Sequence, residues 1–394
     1  MLDVTKRQEA APFDTARLDA LMDDAGIDLL FASSKHNIQY LLGGHRSFFF
    51  DSMDAIGVSR YLPIFVYPRG MAQKAGYFGH GMESYQVEVK PFWVSEVNTK
   101  SGGSVDVMQK AADYARSLNP KPRRIGIELA FLPADSAATL RKVFPDAEIK
   151  DALFVLERLR LRKTPEELQK LRLASELVID SMLAVLASHG PGATKAELAE
   201  ALRREETARG LTFDYCLIAA GPSLNRAPSD QRWEKGQPLS LDSGGNYQGY
   251  IGDLARMGIA GEPDSELEDL LAEVDAVQQA AFKPIRAGVN GGEIYAAAEA
   301  VLSKSKLHNH YEFLAHGMGL VSHEAPRLTA TGPVPYDAYD AQRPLEAGMV
   351  VSVETTLLHP RRGFIKLEDT IAVTPSGYEI YGDRARGWNR AGRG

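Results

Sequence analysis

The spacing of apolar and polar positions changes several times along the chain, and each change marks an element. Leu18, Leu21 and Met22 recur at helical spacing between Thr15 and Ala25, and an apolar run from Ile27 to Ala32 follows, predicting helix then strand. Tyr61 to Tyr67 and Arg124 to Glu128 read as further strands, and Pro133 to Val143 as a helix. Leu153 to Arg162 is a basic, amphipathic connector. After it, Thr164-Pro165-Glu166-Glu167 has the form of a capping box with proline at the first helical position. That helix carries Leu168, Leu171, Val178, Met182 and Val185 on one face and ends at Gly190-Pro191. Thr194 with Glu197 and Ser265 with Glu268 offer two more capping boxes, opening helices to about Ala208 and Phe282. A smaller α/β domain over residues 1–158 and an α+β domain over 159–394, with antiparallel pairing in the second, are therefore expected.

Two stretches with period-two alternation stand out in the second domain. Between Gly236 and Met257, Leu239 and Leu241 alternate with Ser240 and Asp242, Gly244 to Asn246 supply a turn, and a second strand returns near Gly252 to Met257. This hairpin carries Asp242 and Asp253. Val350, Val351 and Val353 lead into Glu354, His359 to Gly363 turn the chain, and Ile365 to Glu368 return, so Glu354 and Glu368 meet across a second hairpin. Each hairpin follows two helices, a coarse internal echo. Like charges about 4 Å apart repel by roughly 4 kcal/mol even at an effective dielectric near 20. Such pairs call for protonation, exposure to solvent, or a bound cation.

Composition narrows the partner. The 394 residues exceed what one hydrophobic core usually supports. A net charge of −7 gives no basic footprint for nucleic acid, and no lysine–arginine cluster suggests a membrane surface. Met1 to Asp14 lacks the apolar core of a signal peptide, and no window approaches the length of a membrane span. The single cysteine, Cys216, excludes an intrachain disulfide and fits a reducing cytoplasm, with the thiol buried as a small hydrophobe. A small-molecule or dipeptide substrate is the expected partner.

Between the hairpins lies the glycine-rich segment His316 to Pro326, with His316 and His323 seven positions apart. Two aspartates, one histidine and two glutamates make a set of hard oxygen donors plus one imidazole. That set suits two divalent ions of manganese, cobalt, iron or zinc type. Four carboxylates balance two dications, and such a pair activates a shared water.

These residues resemble the creatinase, aminopeptidase P and prolidase family, whose catalytic domain is the pita-bread fold. The resemblance rests on Asp242-Ser243-Gly244, Gly249-Tyr250 with Asp253 and Arg256, His316 to Pro326, Glu354, and Leu367-Glu368-Asp369. It implies that Asp242 chelates one ion, that His316 and Glu354 hold the other, and that Asp253 and Glu368 bridge both, with manganese the first ion to test. It further implies catalytic roles for His323, Glu354 and Glu368 in hydrolysing a small amide such as an Xaa-Pro dipeptide. A homodimer is implied too, with Arg46 and the Phe48 to Phe50 run as the element reaching a neighbouring active site. Three positions depart from the family pattern: Asn225 and Glu312 stand where histidines are usual, and Lys366 where an arginine is. With Tyr215 and Arg46, these are the candidate substrate-binding residues. A pita-bread lyase of dimethylsulfoniopropionate shares the Lys-Leu-Glu-Asp sequence of Lys366 to Asp369 and lacks the substrate histidine. Elimination chemistry, a specialised small-molecule amidohydrolase and a catalytically inactive binding module are therefore the alternative readings.

Overall fold

The computed structural model describes residues 10–47, 50, 61–332 and 336–392. The chain divides into two compact units, Met1–Arg160 and Leu161–Gly394.

In the first unit the order is α1 (Thr15–Asp24), β1 (Leu29–Ala32), α2 (Lys35–Leu41), β2 (Ile64–Pro68), β3 (Gly76–His80), α3 (Ser84–Val89), β4 (Glu96–Ser101), α4 (Ser104–Ser117), β5 (Arg124–Ile127), α5 (Ala134–Val143), β6 (Glu148–Asp151) and α6 (Leu153–Leu159). The strands form one mixed sheet in the order β4-β3-β2-β1-β5-β6. Strand β1 is buried throughout because both of its faces are covered. Leu30 and Ala32 pack with α1, α2 and α6, while Leu29 and Phe31 pack with α4 and α5. The stretch expected to be a connector after Leu153 is instead the helix α6, since Val155, Leu156 and Leu159 find apolar partners in this core.

The second unit repeats one unit of construction: two helices, then three antiparallel strands. Helices α7 (Pro165–Ser188) and α8 (Lys195–Ala208) precede β7 (Thr212–Ala220), β8 (Pro238–Tyr247) and β9 (Tyr250–Ile259). Helices α9 (Ser265–Phe282) and α10 (Glu293–Leu302) then precede β10 (Tyr311–Gly317), β11 (Val350–His359) and β12 (Gly363–Val373). The short β13 (Tyr378–Tyr381) adds to β12, and β14 (Asn389–Arg390) lies parallel to β9. The sheet runs β10-β11-β12-β9-β8-β7, and its two halves meet at the registered pair Glu368 and Ala255. This is the pita-bread architecture in an α+β fold. The capping boxes at Thr164 and Thr194 both form, each threonine hydroxyl accepting from the glutamate amide three residues on. At α9 the cap is Asp264 rather than Ser265: its carboxylate accepts from Leu267 N at 2.9 Å.

The first hairpin turns later than its glycines suggest. Gly244, Gly245 and Asn246 continue β8, and the reversal falls at Gln248 and Gly249, where φ is 52° and 98°. The glycines serve close packing instead. A Cβ on Gly244 would run into the Tyr215 ring, and one on Gly245 would meet Val178 at 2.6 Å. Asn246 still organises the turn, its side-chain oxygen accepting from Gly249 N at 2.6 Å.

Candidate metal centre

Strand alternation sorts the second sheet into two faces. Leu239, Leu241 and Leu254 join the core under α7 and α8, while Val351, Val353 and Ile371 join the core under α9 and α10. The opposite face carries the polar residues. Glu354 is directly opposite Glu368, as the second hairpin's spacing predicts. Glu368 is opposite Ala255, which in turn is opposite Asp242, and Asp253 follows on the same face of β9. His316, opposite Ser352, brings its imidazole to this face from β10. Asp242, Asp253, His316 and Glu368 are each no more than 3% exposed. Ligand atoms of Asp253, His316 and Glu368 all lie within 4.8 Å of one another.

Four carboxylates on one face, Asp242, Asp253 and Glu368 buried and Glu354 partly so, make a strongly acidic environment, and among the described residues Lys366 and Arg226 bring positive charge to it. Lys366 Nζ lies 2.6 Å from Asp242 Oδ2 and 2.8 Å from Glu368 Oε2, and it also pairs with Glu354 Oε2. Expected to bind substrate, Lys366 is therefore buried among the acidic groups. Arg226, which the sequence reading did not nominate, donates from Nη2 to Asp242 Oδ2 and stacks 4.8 Å over the Phe364 ring. Its partner lies on a strand sixteen residues away, a contact set by loop geometry that no local pattern announces. Ser352, also missed, donates to Glu368 Oε1 at 2.8 Å, and Tyr215 donates to Asp253 Oδ1.

Burial pushes the Asp253 carboxyl well above the usual carboxylate range, with the charges of Glu368 and Asp242 adding to it. Burial likewise raises Asp242 and Glu354. For Glu368 burial acts in the same direction, but the Lys366 ammonium and His316 outweigh it and hold the carboxyl below its ordinary value. Burial opposes the charge on His316, yet Glu368, Glu354 and Asp253 push the imidazole up to about 9. His323 goes the other way. Burial and the neighbouring His316 lower it to about 4, so it is neutral near pH 7. The two rings stack with centroids 3.9 Å apart. Their unpaired nitrogens, His316 Nε2 and His323 Nδ1, are both buried without a hydrogen-bond partner among the described residues. His316 Nε2, 3.7 Å from Glu368 Oε1 and 3.9 Å from Glu354 Oε1 and without a hydrogen-bond partner, is placed to ligate a divalent ion, which would take the place of its proton between the same carboxylates.

A supporting layer sits behind the acidic face. Arg256 donates from Nη1 to the Glu368 carbonyl at 2.9 Å and from Nη2 to Asp369 Oδ1 at 2.6 Å. Gln278 and Arg386 complete the Asp369 carboxylate, so β9, β12, α9 and the C-terminal tail are tied together beneath Glu368. Asn225 is exposed and its side-chain oxygen accepts from Ala227 N at 2.8 Å, turned toward its own loop. Glu312 is exposed on the edge strand β10, sharing a face with Thr356 and Lys366 through the register. Arg46 belongs to the first unit, where it lines a cavity of about 160 Å³ with His45, Gln86 and Lys90. Phe48 and Phe49 lie outside the described residues, and Phe50 is buried in the first unit's own core, which removes it from any reaching element. Cys216 is buried as expected.

Residues 169–375 match the model of metallopeptidase family M24, and residues 15–162 that of the creatinase/prolidase N-terminal domain. The chain is 28% identical over 368 residues to an uncharacterized peptidase of Bacillus subtilis, covering 92% of this chain and 95% of that protein. It is 24% identical over 333 residues to a protein named Xaa-Pro dipeptidase from Pyrococcus horikoshii, covering 83% and 92%. Among solved structures, an Xaa-Pro dipeptidase from Bacillus anthracis superposes with a TM-score of 0.80 at 22% identity, over 95% of this chain and 98% of that one. Since the first match spans more than half of the sequence and encloses the acidic face, the chain belongs to metallopeptidase family M24, a metal-dependent hydrolase whose family implies a site for two divalent ions.

Proposed function

We propose that this protein hydrolyses the amide of Xaa-Pro dipeptides or similarly compact substrates, with Asp242, Asp253, His316, Glu354 and Glu368 holding two divalent ions, manganese first among them. The observation that carries the reading is the convergence of these five donors from β8, β9, β10, β11 and β12 on one face of the sheet, with His316 Nε2 left without a hydrogen-bond partner. The relatives named as Xaa-Pro dipeptidases supply the substrate class. Bound there, the ions would polarise the substrate carbonyl and furnish a nucleophilic hydroxide near neutral pH.

The chain's own residues do the remainder. His323 is neutral near pH 7 with Nδ1 unpartnered, so it is the group able to donate its N–H toward the developing oxyanion or to relay the proton released by the attacking water to the leaving nitrogen. Glu354 keeps more contact with solvent than the other carboxylates, which suits it to exchange a proton with incoming water. The Tyr215 hydroxyl fixes the Asp253 carboxylate. Glu312 shares a face with Thr356 and Lys366, Arg226 holds Asp242, and Asn225 offers hydrogen bonds where the family pattern has a titratable imidazole. The cytoplasm and a homodimer complete the reading. Arg46 is the residue proposed to reach a neighbouring site, and sedimentation at micromolar concentration tests the dimer.

The direct experiment assays purified protein, reconstituted separately with manganese, cobalt and zinc, on a panel of Xaa-Pro dipeptides and small amides. Turnover on at least one Xaa-Pro dipeptide is expected, and His323→Asn should lower kcat by about 10² to 10³-fold. Absence of turnover with every ion would overturn the substrate assignment. Reaction in ¹⁸O-labelled water should place one labelled oxygen in the product, whereas unlabelled product would point to elimination.

A further inference from the structure

The loop that carries His323 is tied down at several points, yet the imidazole itself is not. Gly317 and Glu324 pair as an antiparallel bridge, with Glu324 N donating to the Gly317 carbonyl at 3.1 Å, so residues 318–323 form a tight loop at the end of β10. Met318 N donates to the Val350 carbonyl at 3.0 Å, and the Gly319 carbonyl accepts from Ile251 N at 3.0 Å, which fixes the first half of the loop to β11 and β9. The His323 ring makes no hydrogen bond with any described residue, and its Nδ1 is buried. A histidine that must aim one nitrogen is ordinarily oriented through a hydrogen bond from the other. Here the stack on His316 and the backbone have to supply that aim. The residue after His323 holds the backbone. Glu324 Oε1 accepts from Lys163 Nζ at 3.0 Å, and the two side chains are 2% and 1% exposed. Lys163 is itself fixed, since its N donates to the Gly348 carbonyl at 2.8 Å and it directly precedes Thr164, the cap of α7. Gly319 leaves room for the pair: a Cβ there would run into Glu324 Oε1 and lie 2.9 Å from Lys163 Cε.

We propose that Lys163 and Glu324 are positioning residues for His323: their buried ion pair pins the backbone next to the histidine, so that its ring stays stacked on His316 and aimed at the acidic face. The inference rests on the reading that His323 serves hydrolysis, and it adds how this chain holds a ring that no hydrogen bond orients. Two buried charges give up about as much hydration as their attraction returns, so such a pair adds a single fixed arrangement more than it adds stability. Consecutive Cα atoms are held about 3.8 Å apart, and a carboxylate anchored at residue 324 therefore limits how far the His323 backbone can drift. A misplacement of about 1 Å can cost about 10²-fold in rate, which makes this tether matter to kcat although neither residue meets the substrate. Binding of the substrate in its ground state does not depend on it, so KM is spared.

The test introduces Lys163→Met together with Glu324→Gln, which removes both charges and keeps side chains of similar shape, into full-length wild type and into His323→Asn. In wild type, kcat on an Xaa-Pro dipeptide should fall about 10- to 100-fold with KM changed by less than about threefold. In His323→Asn the same pair of substitutions should lower the residual rate by less than about twofold, because the group being positioned is already gone. An equal loss in both backgrounds, the result a purely structural role gives, would overturn the proposal, and so would full activity of the folded variant. A second readout needs no turnover. With ¹³C-labelled histidine rings, the stacked ring of His323 should give an upfield-shifted proton signal, identified by its loss in His323→Asn, that moves to the position of an unstacked histidine in the variant. A signal that stays in place would overturn the proposal even where the rate falls. If the doubly substituted protein does not fold, Glu324→Gln alone, which keeps an acceptor for Lys163, takes its place in both measurements, with a loss in kcat of about threefold or more expected and an unchanged rate and signal counting against the pair. If wild type turns over none of the dipeptides or amides, the functional reading falls, while the ring signal still decides whether Lys163 and Glu324 hold His323 in place.

Discussion

Ser243, the residue after the first candidate ligand, has one hydroxyl hydrogen and two neighbours in reach. Its Oγ lies 2.7 Å from the Tyr215 carbonyl and 2.8 Å from Glu206 Oε1. A carbonyl only accepts, so when the hydroxyl hydrogen goes to Tyr215 the Glu206 carboxyl must donate, which requires it to be protonated. The surroundings agree: burial pushes Glu206 up to about 7. The stability consequence has a definite sign. In the unfolded chain this glutamate ionises near its ordinary value of 4.5, while in the fold it keeps its proton to about 7. Stability from the protonated form is therefore complete below 4.5 and is lost as pH rises toward and through 7. Glu206→Gln supplies an amide hydrogen to Ser243 at every pH. Urea unfolding should show the stability of Glu206→Gln relative to wild type growing by about 3 kcal/mol between pH 4.5 and 8. A difference that stays flat with pH would contradict the protonated carboxyl.

At the scale of elements, the hairpins were legible because a half-buried strand advertises its period and a capped helix its first turn. Thr164, Thr194, the β11–β12 reversal and the pairing of Glu354 with Glu368 all follow from local pattern. The first turn was displaced because glycine serves two ends, reversal and close approach, and sequence alone does not separate them. Gly252 on β9 is the strictest case. A Cβ there would sit 2.6 Å from Ser175 N and 2.7 Å from Ala174 C, backbone atoms of α7 that cannot rotate aside. Gly252→Ala should therefore push α7 away from β9, destabilise the protein by about 1 to 3 kcal/mol and weaken metal binding through the adjoining Asp253. Gly102→Ala, where nothing lies within 4 Å, should change stability by less than about 0.5 kcal/mol. Chemical denaturation of the pair checks both. What stayed illegible, such as Arg226 on Asp242, Ser352 on Glu368 and the three ion pairs of Lys366, depends on which strands the folded sheet sets side by side. The residue types at those positions were visible, but not their partners.

At the scale of the whole molecule, each unit buries its own apolar residues. Two clusters lie on the faces of the first sheet, and three lie under the helices of the second unit. All five candidate ligands belong to the second unit. A ligand that binds only the native state raises the stability of the cooperative unit that contains its site, by about 2.7 kcal/mol at a hundred times the dissociation constant. For a unit of this size that corresponds to about 5 to 10 °C in Tm. Calorimetric unfolding with Mn²⁺ and with chelator should therefore differ in the transition assigned to residues 161–394, while the one assigned to residues 1–160 keeps its midpoint. Substituting both Asp253 and His316 with alanine should abolish the shift, because two of the three donors whose ligand atoms lie within 4.8 Å of one another would be gone. A single transition moving as a whole would show the two units unfolding together. A metal-dependent shift that survives the double substitution would place the ion elsewhere.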